Sequence, residues 1–280
     1  MVIERAQSNS RGASGGNSNA NVISDKYALV YSLLDPAGQL IFKKIEEIGV
    51  PKWAAPYDFS EEIIFINTRK IKENKIIFLS KHSSDSKRRT LSVHMIGNFG
   101  RAEFGGRSGE LCGALPRVGT NYLRTLNEKN ISSGLSSQGF GVSFEATHHG
   151  PFTSKESVFI ELGSSLADWK NELGARVIAQ TVVEATLKPN KDEIVVGLGG
   201  GHYCPDFTKL ALRQNYSFGH ICAKHNLQYL NKELLLEMVE KSGAEKVIID
   251  WKGLKENKKN VVELCKKTGV VFEKVQTLLK

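Results

Sequence analysis

Imidazole both binds divalent metals and moves protons near neutral pH. The sequence holds seven histidines: His82, His94, His148, His149, His202, His220 and His225. Their placement says more than their number. His82 follows an apolar run ending at Leu79, and His148 and His149 close a run beginning near Gly141. His202 follows a run ending at Leu198, and Glu161 lies near the end of its own run. Each run reads as a β-strand. In an open α/β sheet the ligand crevice lies outside the carboxyl ends of the strands. Four segments therefore bring imidazoles or a carboxylate to one rim, if the strands are parallel neighbours. His94 sits inside or near the end of a strand and joins less directly. Imidazoles mixed with carboxylates suit a catalytic zinc that keeps an open position. Such an ion polarises an ester carbonyl and lowers the pKa of its water to about 7. Any one of these histidines alone reads more readily as a hydrogen-bonded structural residue; it is the convergence that points to a metal.

The sharpest local signal is Gly197-Leu198-Gly199-Gly200-Gly201-His202-Tyr203-Cys204-Pro205. Glycines after a strand let the backbone approach a ligand and can aim N–H groups at an anion. The pattern is neither G-x-G-x-x-G nor a P-loop, and a tight strand-to-helix turn explains it equally. Cys204 reads as a small packing residue rather than a nucleophile, since no basic cluster lowers its pKa. Lys87-Arg88-Arg89 lies between the segments carrying His82 and His94. It is a candidate contact for RNA phosphates, with a solvated charge run as the plain alternative. Lys255, Lys258, Lys259, Lys266 and Lys267 read as the solvent face of a helix.

The elements that must hold these residues alternate. An apolar run at Tyr27 to Leu34 leads to Asp35-Pro36, which caps and starts a helix to Glu47 ended by Gly49. Strand-like runs follow at 63–67, 75–79, 90–96, 141–147, 158–162 and 193–198, with helices at 121–128, 206–213 and the long stretch 166–187. Residues 232–275 read as helix, strand, helix, strand. This order predicts an α/β fold with a mixed, largely parallel sheet and helices on both faces. Residues 1–24, rich in Ser, Asn and Gly over 7–21, are expected to form a disordered tail, and 25–280 one catalytic domain. The four cysteines form no C-x-x-C pair, which argues against a zinc knuckle. A net charge of +8 favours a polyanionic partner. No run approaches the roughly 20 apolar residues of a membrane span, and no secretory leader is visible, so a cytoplasmic location is expected.

Five segments in order carry a resemblance: Ser80-Lys81-His82-Ser83-Ser84, Leu91-Ser92-Val93-His94-Met95-Ile96-Gly97-Asn98, Glu145-Ala146-Thr147-His148-His149-Gly150-Pro151, Phe159-Ile160-Glu161-Leu162-Gly163-Ser164 and Gly199-Gly200-Gly201-His202-Tyr203. Together they resemble the archaeal and plant type of D-aminoacyl-tRNA deacylase, over roughly residues 25 to 275. The resemblance implies a zinc-dependent hydrolase that cleaves the ester between a D-amino acid and the tRNA 3′ end. It also implies a fold akin to phosphorylase and peptidyl-tRNA hydrolase, and tRNA charged with a D-amino acid as partner. Carried over, its motif residues fall on His82, His94, His148, His149 and His202, with Glu145 and Glu161 as carboxylates. We take His82, His94, His148 and Glu161 as candidate metal ligands, and Glu145, His149 and His202 as candidate catalytic groups. The Ser/Asn-rich start departs from the family core, and Cys204 stands where a small apolar residue is expected.

Two other enzymes would use the same rim: a zinc-dependent amidohydrolase of a small metabolite, and a peptidyl-tRNA hydrolase. A non-catalytic RNA-binding module would leave the histidines unexplained, and no RNP-like or GXXG segment is present.

Overall fold

A computed structural model describes residues 26–280; the tail expected over 1–24 lies outside them. In chain order the strands are β1 (Tyr27–Ser32), β2 (Ala54–Phe59), β3 (Lys75–Ser83), β4 (Thr90–His94), β5 (Gly97–Asn98), β6 (Glu110–Leu111) and β7 (Gly113–Ala114). There follow β8 (Gly141–Phe144), β9 (Glu156–Ser164), β10 (Glu193–Leu198), β11 (Tyr216–Cys222), β12 (Lys246–Ile249) and β13 (Phe272–Lys274). The helices are α1 (Pro36–Ile48), α2 (Pro116–Ser132), α3 (Leu166–Trp169), α4 (Glu172–Ala185), α5 (Pro205–Arg213), α6 (Lys232–Ser242), α7 (Lys258–Thr268) and α8 (Val275–Leu278).

The strands form a mixed sheet ordered β2-β1-β3-β9-β4-β8, with β7 beside the start of β9, and a separate parallel sheet ordered β11-β10-β12-β13. Within the first sheet only the β4–β9 pairing is antiparallel, so β4 and β8 run against the other strands. The α/β class and the largely parallel pairing match the sequence reading, but the later strands build their own sheet rather than extending the first.

Alternation along β3 and β9 explains what covers each face. Ile77, Leu79, Val158, Ile160 and Leu162 point into one core shared with α1, α2 and α4. Each such side chain contributes roughly 1.5–3 kcal/mol when fully buried. Ile76, Phe78 and Phe159 point the other way, under Ile63, Ile66 and Ile71. That second face is roofed by turns instead of helices, and its apolar part ends where Ser80, His82 and Glu161 begin. Helices do flank both faces of the second sheet: Val195 and Ile248 join the core with α5, while Val196 and Ile249 pack with Leu235 and Met238 of α6.

Several local expectations shift. Residues 63–67, read as a strand, contain a short 3-10 turn over Ile63–Phe65 that buries Ile63 and Ile66 on the same side. The long helical stretch breaks at Asn171, whose side chain caps α4 by accepting from Gly174 N. The break lets Trp169 Nε1 donate to His82 O at 2.7 Å. Besides the two-residue strands β5, β6 and β7, two longer strands escape pattern reading: β2, where Pro56 is tolerated because the strand is a sheet edge, and β11.

Candidate active site

Sheet register brings the first three groups together. Glu161 on β9 pairs with Ser80 on β3 and with Ser92 on β4. His82 lies two residues past Ser80, and His94 two residues past Ser92, so both share the face of Glu161. Because β4 is antiparallel, the two imidazoles flank the carboxylate on opposite diagonals, within reach of a long side chain. Gly163 stands opposite His82; any Cβ there would collide with the His82 backbone and Cβ.

The segment after β8 is pinned to both sheets. Glu145 N donates to Val93 O (3.0 Å), Ala146 N to His202 O (2.8 Å) and Thr147 N to Ile221 O (2.9 Å). Through these bonds His202, which follows a strand of the second sheet, reaches residues of the first. His149 then takes a left-handed φ of 45°. This departure from extended backbone lets consecutive histidines turn toward His94: ring centroids lie 4.2 Å apart for His94–His148, 4.8 Å for His94–His149 and 4.3 Å for His148–His149.

These three imidazoles are held alike. His94 Nδ1 donates to Met95 O (3.1 Å), His148 Nδ1 to Ala146 O (2.8 Å) and His149 Nδ1 to Gly150 O (2.6 Å). A backbone carbonyl on Nδ1 fixes the tautomer and leaves the Nε2 lone pair for another partner. One ligand atom from each of the three lies within 4.8 Å of the others. Burial and the neighbouring His94 hold His149 down to a pKa of about 4, and burial with His94 and His149 keeps His148 well below its ordinary value. Both rings are therefore neutral at pH 7. His94 Nε2 is buried with no hydrogen-bond partner; its nearest acid, Glu161 Oε1, is 3.6 Å away.

His82 behaves differently. Its Nδ1 lies 3.0 Å from Glu145 Oε1 and 3.3 Å from Glu161 Oε2. Burial opposes a cation there, but hydrogen bonding and charge from the two carboxylates prevail and raise its pKa to about 11. In return, although burial alone would raise them, His202 and His82 hold Glu145 well below the usual carboxylate range, and His82 and His94 bring Glu161 to about 2. The Nε2 of His202 is 2.7 Å from Glu145 Oε2, and its ring is about one-third exposed. The candidate ligands and catalytic groups thus all meet, but in other groupings than expected. His149 joins His94 and His148, while His82 sits among carboxylates.

Tyr203, assigned no role from sequence although it adjoins His202, hydrogen-bonds His82 Nε2 through its hydroxyl at 3.0 Å. Arg88 lies over its ring at 5.9 Å. Arg89, by contrast, is engaged structurally, with Nε 3.0 Å from Asp168 and Nη1 donating to Gln138 O at 2.6 Å. The thiol of Cys204 is buried and pushed well above its ordinary pKa by that burial. A cavity of about 750 Å³ opens over the cluster, lined by His82, His148, His149, Glu161 and His202 among others.

A sequence model of the D-aminoacyl-tRNA deacylase family matches residues 69–273. The chain belongs to that family. A D-aminoacyl-tRNA deacylase of Desulfurococcus amylolyticus is 38% identical over 258 residues, covering 84% of this chain and 94% of the relative. One from Methanococcus maripaludis is 35% identical, covering 89% and 99%, and one from Staphylothermus marinus 37%, covering 88% and 98%. The crystal structure of a conserved protein of unknown function superposes with a TM-score of 0.84 at 30% identity, covering 91% of this chain and 97% of that one. Among the five motif segments of the deacylase resemblance, the first supplies His82 and the other four supply the remaining six ionisable candidates that meet at the cavity. Among the described residues no helix is long and apolar enough to cross a membrane.

Proposed function

We propose that the chain hydrolyses the ester joining a D-amino acid to the 3′ end of tRNA, with the histidine-lined cavity as the reaction site. One observation carries the reading: three imidazoles, each with Nδ1 tied to a backbone carbonyl, converge beside two buried carboxylates in a cavity of a deacylase-family chain. The donor set fits zinc. The partnerless buried Nε2 of His94 is an atom that costs about 1–3 kcal/mol unless something binds it, and three imidazoles with one open position make a catalytic zinc geometry. His94, His148 and His149 would hold the ion. When bound, zinc supplies Lewis acidity that polarises an ester carbonyl and acidifies water.

The chain's own groups supply the rest. Glu145, ionised and shared between His202 and His82, orients His202 toward the cavity. The Nδ1 of His202 has no hydrogen-bond partner among the described residues, so it is the ring atom positioned to exchange a proton with substrate. We assign it the protonation of the leaving ribose oxygen. His82 keeps Glu145 and Glu161 ionised together in a buried site, where two unpaired carboxylates could not both stay charged. The surface around Lys87 and Arg88 receives tRNA phosphates.

The test is an assay of purified protein on D-aminoacyl-, L-aminoacyl- and N-acyl-aminoacyl-tRNA, with and without chelator, alongside elemental analysis. Selective loss of the D-aminoacyl ester, abolished by chelation, is expected. His94→Ala, His148→Ala and His149→Ala should each strip bound zinc, whereas His202→Ala should keep it and lose turnover by more than tenfold. Wild-type protein that carries no stoichiometric metal and ignores chelator would remove zinc from the mechanism.

A further inference from the structure

The reaction cavity has a neighbour that the chemistry above does not use. Beyond a ridge made by Ile64 and the Phe104–Gly105 peptide lies a second cavity of about 680 Å³. Phe65 on its wall is 59% exposed, and Phe104 on the ridge 65%. Neither is explained by the core. Inside, the guanidinium of Arg107 lies 3.8 Å from the centre of the Phe152 ring, close enough for the cation to stack on the ring face. Arg107 also meets Glu110 at 3.3 Å yet remains half exposed. Arg69, Asn67 and Ser154 add polar lining.

The ridge is fixed in place. Gly105 and Gly106 take φ of 74° and 83°, and a Cβ on Gly105 would run into the Ile64 carbonyl. Asn98 Nδ2 donates to Gly105 O at 3.0 Å. Gly150 N donates to Phe104 O at 3.0 Å, one residue from His149. The second cavity is therefore registered on the metal-binding imidazoles.

We propose that this cavity binds the base of the nucleotide preceding the esterified one, so that the single-stranded RNA end is gripped one step away from the bond that breaks. The inference rests on the deacylase reading. A terminal nucleotide with its acyl–ribose bond over the histidines must pass its strand across one lip of the cavity, and this lip has a second cavity behind it. Exposed aromatic faces and a guanidinium plane are how proteins stack unpaired bases. Two arginines complement the phosphates between them. An acidic peptide would satisfy the arginines but would not need the open phenylalanine faces.

Binding tests it independently of turnover. Unacylated cytidylyl-adenosine should bind wild-type protein about tenfold or more tighter than adenosine, the usual scale for one stacked base. Phe65→Ala combined with Arg107→Ala should erase that difference while leaving adenosine affinity and the melting temperature unchanged. With esters of the same D-amino acid, the double variant should raise KM for the dinucleotide ester at constant kcat and leave the adenosine ester untouched. Equal binding of the two ligands by wild type, or equal losses on both, overturns the proposal. So does transfer of the whole effect to Lys87→Gln/Arg88→Gln, which would put the strand beside the β3–β4 loop instead. Absence of D-aminoacyl-tRNA hydrolysis by wild type would instead sink the function itself, and the binding arm would still judge the cavity.

Discussion

Replacing His82 with Asn should expose how the buried charges are balanced. His82 is the cation between Glu145 and Glu161, both of which are almost completely buried. The gap between the 6.5 of a free imidazole and about 11 corresponds to about 6 kcal/mol of preference for the charged ring. Removing one partner of a buried pair ordinarily costs about 3–5 kcal/mol, because the protein relaxes and a carboxylate picks up a proton. The lower range is therefore the expected loss at pH 6. The pH dependence has a definite sign. A raised folded pKa stabilises fully below the unfolded value of 6.5, and the contribution disappears as pH climbs toward 11. With one carboxyl of the variant holding a proton when folded, the advantage of wild type over His82→Asn should grow by roughly 1.4 kcal/mol per pH unit from about pH 5 to 6.5 and level off above it, where ring and carboxyl hold their protons alike. Urea unfolding of both proteins between pH 5 and 9, with chelator present throughout, measures it. A difference below about 1 kcal/mol at pH 6, or one that does not grow between pH 5 and 6.5, would mean that the reasoning about the ring and the two carboxylates is wrong.

Cys204→Ser should keep most deacylase activity, and rapid-quench mass spectrometry should find no acyl-enzyme, because burial holds the thiol protonated. Among the basic residues of the β3–β4 loop, Lys87→Gln and Arg88→Gln should each reduce the salt slope of tRNA binding by about one. Arg89→Gln should leave that slope alone and lower the melting temperature, since its guanidinium is spent on Asp168 and Gln138. His220, buried between Thr147 Oγ1 and Cys112 O, has its pKa depressed by burial to about 4. The unfolded chain takes up that proton first, so between pH 6.5 and 4 wild-type stability should fall about 3 kcal/mol further than that of His220→Gln; parallel acid limbs would refute the assignment.

Much of the site was legible because most of its residues lie at or near strand ends, where loops and glycines leave side chains free of the core. The α/β class and the gathering of five candidates come from that pattern, with His94 joining less directly and Glu145 entering only through the family resemblance; but β4 and β8 run against β3 and β9, so the groups meet across a face of the sheet rather than along one rim of carboxyl ends. What sequence pattern does not encode is which strands are neighbours and in which direction they run. His94 was expected to join less directly because it sits inside or near the end of its strand; the structure brings it in by running β4 against β9, which sets it on the far diagonal of Glu161. His202 was expected from a neighbouring parallel strand, but it comes from a different sheet, joined by backbone bonds from Ala146 and Thr147.

The grouping of the histidines illustrates the same gap at the scale of one residue. In an extended chain His148 and His149 would point to opposite faces, so their adjacency suggests that only one can serve a given site. The left-handed turn at His149 removes that restriction. A non-glycine residue in that region is uncommon and costs about 1–3 kcal/mol, and it persists only where the surroundings impose it. Here they do: His149 O accepts from Gly97 N at 3.0 Å, and Gly150 N is bound to Phe104 O. The backbone strain thus sits at the one residue that completes the set of three imidazoles. The second of these bonds ties the segment to the ridge of the second cavity. Position along the RNA and position of the metal site are on this account set by one short segment, residues 145–150, rather than by two independent parts of the fold.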